Sequence, residues 1–264
     1  MPDFGTIEVA VDGPVGSVWL NRPRIHNAIN AEMISELTEA FGSLDRDPAV
    51  RVVVLSGRGR SFCVGADLNW MREKGALSAR ENEEDALRLS GMLRALHDVR
   101  KPTLARVNGM TIGGGNGMVA ACDLAVASED ATFRIAETRL GIVPAVISPY
   151  LFRRLGDRVC REIFLTARTL TAADAADVGL VNRVVPAADL DAEIEAITRD
   201  LLACGPEALV AAKELLGQVA ELDLDRAQQY TAEMIARLRS SPEGREGMAA
   251  FFEKRPPSWV PEGK

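Results

Sequence analysis

The chain has 264 residues, enough to bury one sizeable core, and its 47% hydrophobic and 26% charged residues are interspersed as in a folded globular protein. A formal net charge of -7 argues against a large nucleic-acid surface, because neutralising phosphates takes clustered Lys and Arg. No apolar run approaches the roughly 20 residues that cross a bilayer, and MPDFGTIEVAVDG lacks the basic-then-apolar order of a leader, so a cytoplasmic protein is expected.

In chain order, TIEVAV and GSVWLN alternate and bracket DGPVG, which predicts a hairpin. Asn30 is a plausible N-cap for a helix whose Met33, Ile34, Leu37 and Phe41 share one face. VRVVVLSG reads as a buried strand by its β-branched content, and TLARVNG and DLAVAS as two more. Strands thus alternate with helices to about residue 145, an order that points to βαβ units and a parallel-rich sheet. The charged segment REKGALSARENEEDA at 72–86 is either a solvated helix face or a lid over a site.

Beyond Ser148 helical patterns dominate, with VNRVV the one short apolar run among them. SPYLFRRLG, DRVCREIFLTA and TAADAADVGL come first, followed by helices over 187–203, 206–218 and 223–239. In SPEG at 241–244, Ser and Pro stand at the N-cap and first helical position of a last helix ending near Lys254. The division expected is a core over 1–190 and a helical region over 191–264.

Cys63, Cys122, Cys160 and Cys204 form no CxxC pair, and His26 and His97 are the only histidines. The usual zinc patterns are excluded, and the thiols read as core or incidental residues. Neither a resident metal nor a separate cofactor is expected.

The stretch TIGGGNGMVAACD carries Gly113, Gly114, Gly115 and Gly117 between a strand-like and a helix-like run. Three readings compete for it: a phosphate cradle, an oxyanion hole of backbone N–H groups, or close packing. A dinucleotide fingerprint fails because the sixth position from Gly113 is Met118, and a P-loop fails because no lysine lies between Lys101 and Lys213. No G-x-S-x-G elbow occurs either. Backbone donors at a helix start, and packing, remain.

A second glycine-containing segment, SFCVGADLNWM, follows the VRVVVLSG strand. With LNRPRIHNAIN, KPTLARVNGMTIGGG, ACDLAVASEDATFRIAETRLGIVP, LTARTLTAADAADVGLVNRVVP and FFEKRPPSW, it makes nearly the whole chain resemble the crotonase (enoyl-CoA hydratase/isomerase) family. The resemblance implies a crotonase-like α/β spiral of ββα units with a helical C-terminal trimerisation region, and an acyl-CoA thioester as substrate, with CoA entering as part of it. It puts the two oxyanion-hole N–H groups on Ala66 and Gly114. It puts CoA against Arg24, Ile25 and His26 and against Ala66, Asp67, Leu68 and Asn69, with Lys254 near the nucleotide end. For His26 a loop histidine satisfied by its neighbours is an equal reading, and for Lys254 a solvated lysine is. Homotrimers, often paired into hexamers, are also implied.

Hydratases of this family use two glutamates, and the resemblance maps one onto Glu137. The other falls on Gly117, which has no side chain, so the two-carboxylate mechanism does not transfer. Asn116, its polar neighbour, is a weak substitute. Position 145, where dienoyl-CoA isomerases of the family carry an aspartate, is Ala145. VPAVISPYLFRRLG and GADLNWM resemble the bacterial methylglutaconyl-CoA hydratases and their relatives acting on branched, carboxylated enoyl-CoAs, which often have glycine at the position of Gly117. A methylglutaconyl carboxylate would want a cation, for which Arg72, Arg139 and Arg153 are unranked candidates. Hydration is therefore the expected activity, with crotonase-fold isomerisation or decarboxylation, or a catalytically silent acyl-CoA-binding protein, as alternatives.

Overall fold

The computed structural model describes residues 3–74 and 78–260. They group into two compact units, one reaching to Glu195 without Arg100–Pro102, the other made of those three residues and the chain from Ala196.

The first unit opens with the predicted hairpin, β1 (Ile7–Asp12) and β2 (Val15–Leu20), antiparallel with Ile7 opposite Leu20. Asn30 then caps α1 (Ala31–Arg46), its Oδ1 accepting the Met33 N–H at 2.9 Å. The predicted face of α1 is buried, with Ala40 and Leu44 extending it. All six residues of β3 (Val52–Gly57) are buried, as expected for an interior parallel strand.

After β3 a recurring plan sets in. A strand of the large sheet leads into a three-residue strand of a second sheet, and the chain then turns into helix. β3 is followed by β4 (Ser61–Cys63), α2 (Leu68–Lys74) and α3 (Ala79–His97). β5 (Thr103–Val107) is followed by β6 (Met110–Ile112) and α4 (Gly114–Ala121). β7 (Leu124–Ser128) is followed by β8 (Thr132–Arg134), a 3-10 turn at Glu137–Leu140 and α5 (Ser148–Thr166). β9 (Thr169–Thr171), α6 (Ala172–Asp177) and β10 (Arg183–Val185) complete the unit. The large sheet runs β1-β2-β3-β5-β7-β10, parallel except at the hairpin, and the small one runs β4-β6-β8-β9. This is the α/β spiral of ββα units that the resemblance implied.

Sequence patterning left out the small sheet, since three residues are too few to show a period. Gly156, at φ 74° and ψ 173°, interrupts α5, so its two halves correspond to the two helical segments read on either side of it. Of the charged segment at 72–86, residues 75–77 lie outside the described residues. From Ser78 it is helical and opens with a reciprocal capping box to Glu81; residues 79–84 are exposed, while Asn82 and Ala86 also border a cavity, so both readings stand.

In the second unit α7 (Leu190–Ala203), which begins in the first, is followed by α8 (Pro206–Val219), α9 (Leu224–Ser240) and α10 (Pro242–Glu253). Ser241 Oγ accepts the Gly244 N–H at 3.0 Å, and Pro242 holds the first helical position, as read from SPEG. Gly205 gives α8 no capping side chain. Glu243 of α10 substitutes, accepting the Glu207 and Ala208 N–H groups at 2.8 Å each. All four cysteines are free thiols, and only Cys204 is exposed.

Candidate active site

A cavity of about 590 Å³ opens in the first unit where the small sheet meets α2, α3, α4 and the start of α5. One wall is the strand-like segment after β4. Ile29 donates to Gly65 O at 2.7 Å and accepts from the Asp67 N–H at 2.8 Å. The Ala66 N–H belongs to the same trans peptide as Gly65 O and points the opposite way, so it is turned away from Ile29. Ala66 lines the cavity.

The second wall is the start of α4. Gly113 sits at φ +50°, a conformation that excludes most side chains, and its own N–H is engaged by Arg134 O at 2.9 Å. The next residue, Gly114, is the first of α4 and lines the cavity, with its N–H among the donors that a helix start leaves unsatisfied. The helix dipole adds positive field there. A Cβ on Gly115 would stand 2.6 Å from Cys63 O, so this glycine lets α4 press on β4. The glycine run thus provides close packing at 115 and places a helix-start N–H at 114 beside the cavity.

Glu137 begins the 3-10 turn after β8, which the Thr138 hydroxyl anchors to Phe164 O at 2.8 Å. A Cβ built on Gly113 would lie 3.0 Å from Glu137 Oε1, so the carboxylate is seated beside the peptide that carries the Gly114 N–H. Its other oxygen, Oε2, is buried with no hydrogen-bond partner. Burial raises the Glu137 pKa, opposed only in part by the backbone N–H groups of Glu137 and Ala136. Among the described residues that line the cavity, Glu137 is the only carboxylate, and no Lys, Arg or His joins it.

Gly117, three residues past Gly114, faces hydrocarbon. A Cβ there would collide with Ile147 Cγ2 and would stand 3.3 Å from Leu93 Cδ1. Asn116 does not replace the missing glutamate. It is fully buried, and its Nδ2 donates to Arg134 O at 2.9 Å and Thr111 O at 3.3 Å. Arg72, Arg139 and Arg153 are exposed, and none lines the cavity.

Of the residues mapped to CoA, Ala66 and Leu68 line the cavity, and Leu68 is 77% exposed. Arg24 and Ile25 are exposed on a short 3-10 turn, and Asn69 is exposed at the start of α2. The His26 ring is held by its neighbours, as one of its two readings had it. Arg60 donates to Nε2 at 3.2 Å, which leaves Nδ1 to donate to Ser61 Oγ at 2.9 Å. Lys254 caps α10 in the left-handed conformation, in the helical unit.

Asp67 is buried and supports the site without lining it. Burial pushes its carboxyl up, but the Asn69 N–H, Arg22 at 3.0 Å and the Trp70 N–H outweigh this and hold it below the usual aspartate range. Arg22 also donates to Ala28 O at 2.6 Å, tying Ala28, next to Ile29, to Asp67, next to Ala66. A carboxyl with a depressed folded pKa stabilises above its unfolded pKa, and that stability is lost as pH falls through the folded value. Asp67→Asn is therefore expected to lower the melting temperature at pH 7, with the difference narrowing below about pH 4, as thermal scans at the two pH values would read.

The backbones of Ala66 and Gly114 thus border one largely apolar cavity together with a desolvated carboxylate. The sequence matches the family described as Enoyl-CoA hydratase/isomerase over residues 11–262. A Thermus thermophilus protein named for enoyl-CoA hydratase activity is 37% identical over 93% of this chain and 97% of its own. The crotonyl-CoA hydratase of Syntrophomonas wolfei is 31% identical over 92% of this chain and 93% of its own. The crystal structure of an enoyl-CoA hydratase from Shewanella pealeana superposes with a TM-score of 0.94 at 35% identity, covering 97% of this chain and 96% of that one. The chain belongs to the enoyl-CoA hydratase/isomerase family and has the crotonase fold.

Sequence reasoning missed most of the apolar lining, including Trp70, Leu89, Val146 and Ile147. The strand period and helix caps locate elements, but they carry no signal for which apolar residues end up beside a carboxylate.

Proposed function

We propose that the protein is a hydro-lyase that adds water across the double bond of an α,β-unsaturated acyl-CoA. The observation that carries this is the placement of Glu137 Oε1 against Gly113, beside the Gly114 N–H, in a cavity with no other carboxylate among its described lining residues. Ala66 and Gly114 hold the thioester oxygen. Glu137 takes a proton from water as the water oxygen bonds the β-carbon, and the alkene pair moves through the α-carbon to the thioester oxygen. The protonated Glu137 then returns its proton to the α-carbon, so one residue serves as base and acid in turn. The names of the relatives support the same reaction.

The CoA moiety is assigned to the rim formed by Arg24, Ile25, His26 and Ala66 to Asn69. A homotrimer or homohexamer is proposed on the family resemblance. Phe251 and Phe252 of α10, 79% and 78% exposed, are apolar surface of the kind a neighbouring subunit covers. 3-Methylglutaconyl-CoA is the specific substrate to test first. The lining suits its branched hydrocarbon portion, while its distal carboxylate meets no cation among the described lining residues.

Crotonyl-CoA and 3-methylglutaconyl-CoA, incubated with the protein, are expected to give 3-hydroxyacyl products detectable by mass. No 3-hydroxyacyl product from either would sink the hydratase reading. Isomerised or decarboxylated products in their place would favour the other chemistries of this fold.

A further inference from the structure

Resting on the hydratase reading, we propose that Ile147 determines specificity by making the site select enoyl thioesters that carry an alkyl branch on the β-carbon. Gly117 lies one helical turn beyond Gly114 on α4, about 4.5 Å along the axis at 1.5 Å per residue. That span compares with the three covalent bonds between a thioester oxygen and the β-carbon of its enoyl group. With the oxygen held by Gly114 and the enoyl group laid along α4 in its extended form, about 3.5 Å from oxygen to β-carbon, the β-carbon falls between the levels of positions 116 and 117. What meets it there is the Ile147 side chain, seated over the bare Gly117 backbone and backed by Leu93.

Ile147 is 3% exposed and Leu93 is fully buried, so this wall is fixed by packing. Ile147 reaches the cavity, whose lining also includes Val146 and Leu89. A hydrogen on the β-carbon leaves this surface uncovered, whereas a methyl or larger branch covers it and leaves water. Hydrocarbon pockets discriminate by about 10- to 200-fold per methyl-sized group. The glycine at 117 and the isoleucine at 147 thus act together: one leaves out a polar side chain, and the other supplies an apolar surface in its place.

The test is the ratio of kcat/KM for 3-methylcrotonyl-CoA to that for crotonyl-CoA, from initial rates in the parent, Ile147→Ala and Ile147→Val. Val keeps both groups on Cβ and is expected to hold the parent ratio. Ala removes Cγ2 and is expected to lower the ratio about tenfold or more. An Ala ratio that is unchanged or higher overturns the proposal, since Ile147 would then be neutral or would be excluding the branch. A parent that hydrates neither substrate defeats the hydratase reading itself, an outcome distinct from hydration with an unmoved ratio. If Ile147→Ala does not fold, Gly117→Ala, which pushes Ile147 from its seat, must lower the ratio in the same direction; an unmoved ratio there overturns the proposal.

Discussion

Replacing Glu137 by Gln is expected to lower kcat for hydration by about 10²- to 10⁴-fold, the range for removing a positioned acid/base group. The substitution keeps the size and shape of the side chain, so thioester affinity, measured by titration with a non-hydratable acyl-CoA, should stay within a few-fold of the parent. A catalytically silent binding protein would show no activity to lose.

Stability should respond in the opposite direction to activity. The folded pKa of Glu137 is raised by burial, so the folded state binds the proton more tightly than the unfolded chain does. Stability is then lost as pH rises from the unfolded value through the folded one. Glu137→Gln does not titrate, and it should melt at a higher temperature than the parent at pH 8. The difference should disappear below about pH 4, where the glutamate is protonated in both states.

Substituting Gly114 with Pro is expected to lower kcat/KM by about 10²- to 10³-fold, the loss typical of one oxyanion-hole donor. Gly114 is the first residue of α4, the helical position where proline is best tolerated, so the N–H disappears while the helix keeps its start. Gly114→Ala is the control, because it retains the N–H. Its added Cβ would stand 2.8 Å from Ile29 Cδ1, the far end of a flexible side chain, and meets nothing else within 4 Å. If Ala and Pro lost activity equally, crowding rather than the donor would explain the effect. Circular dichroism of both variants would separate loss of the hole from loss of fold.

How far the sequence discloses this molecule depends on whether the determinant is local. Asn30 capping α1 and Ser241 with Pro242 opening α10 are legible because a cap and its helix lie within four residues of one another. β3 is legible because every one of its residues is buried and branched or small. The donors Ala66 and Gly114 come from the family resemblance, since a backbone N–H leaves no trace in side-chain pattern. The structure adds that Ile29 engages the Gly65 carbonyl and the Asp67 N–H, which leaves the Ala66 N–H facing away from it, and that Gly113 takes a positive φ.

Gly117 shows the limit. In sequence it reads only as a missing carboxylate. The residue that fills the space, Ile147, lies thirty positions further along and comes from another element, so no local pattern joins the two. The same holds for Arg22 and Asp67, whose ion pair supports the donor at 66 from two separate segments. The small sheet escaped for a different reason, its strands being three residues long.

The proposed mechanism gives both the acid and the base work to a single carboxylate, Glu137. The most direct measurement is the pH dependence of kcat with crotonyl-pantetheine, a thioester that lacks the ionising adenine and phosphates of CoA. One ionisation is predicted on the acid side, displaced upward from the usual glutamate value because Glu137 is desolvated, with log kcat falling at unit slope below it. A limb falling with a slope of two, or one unaltered in position by Glu137→Gln, would contradict the account.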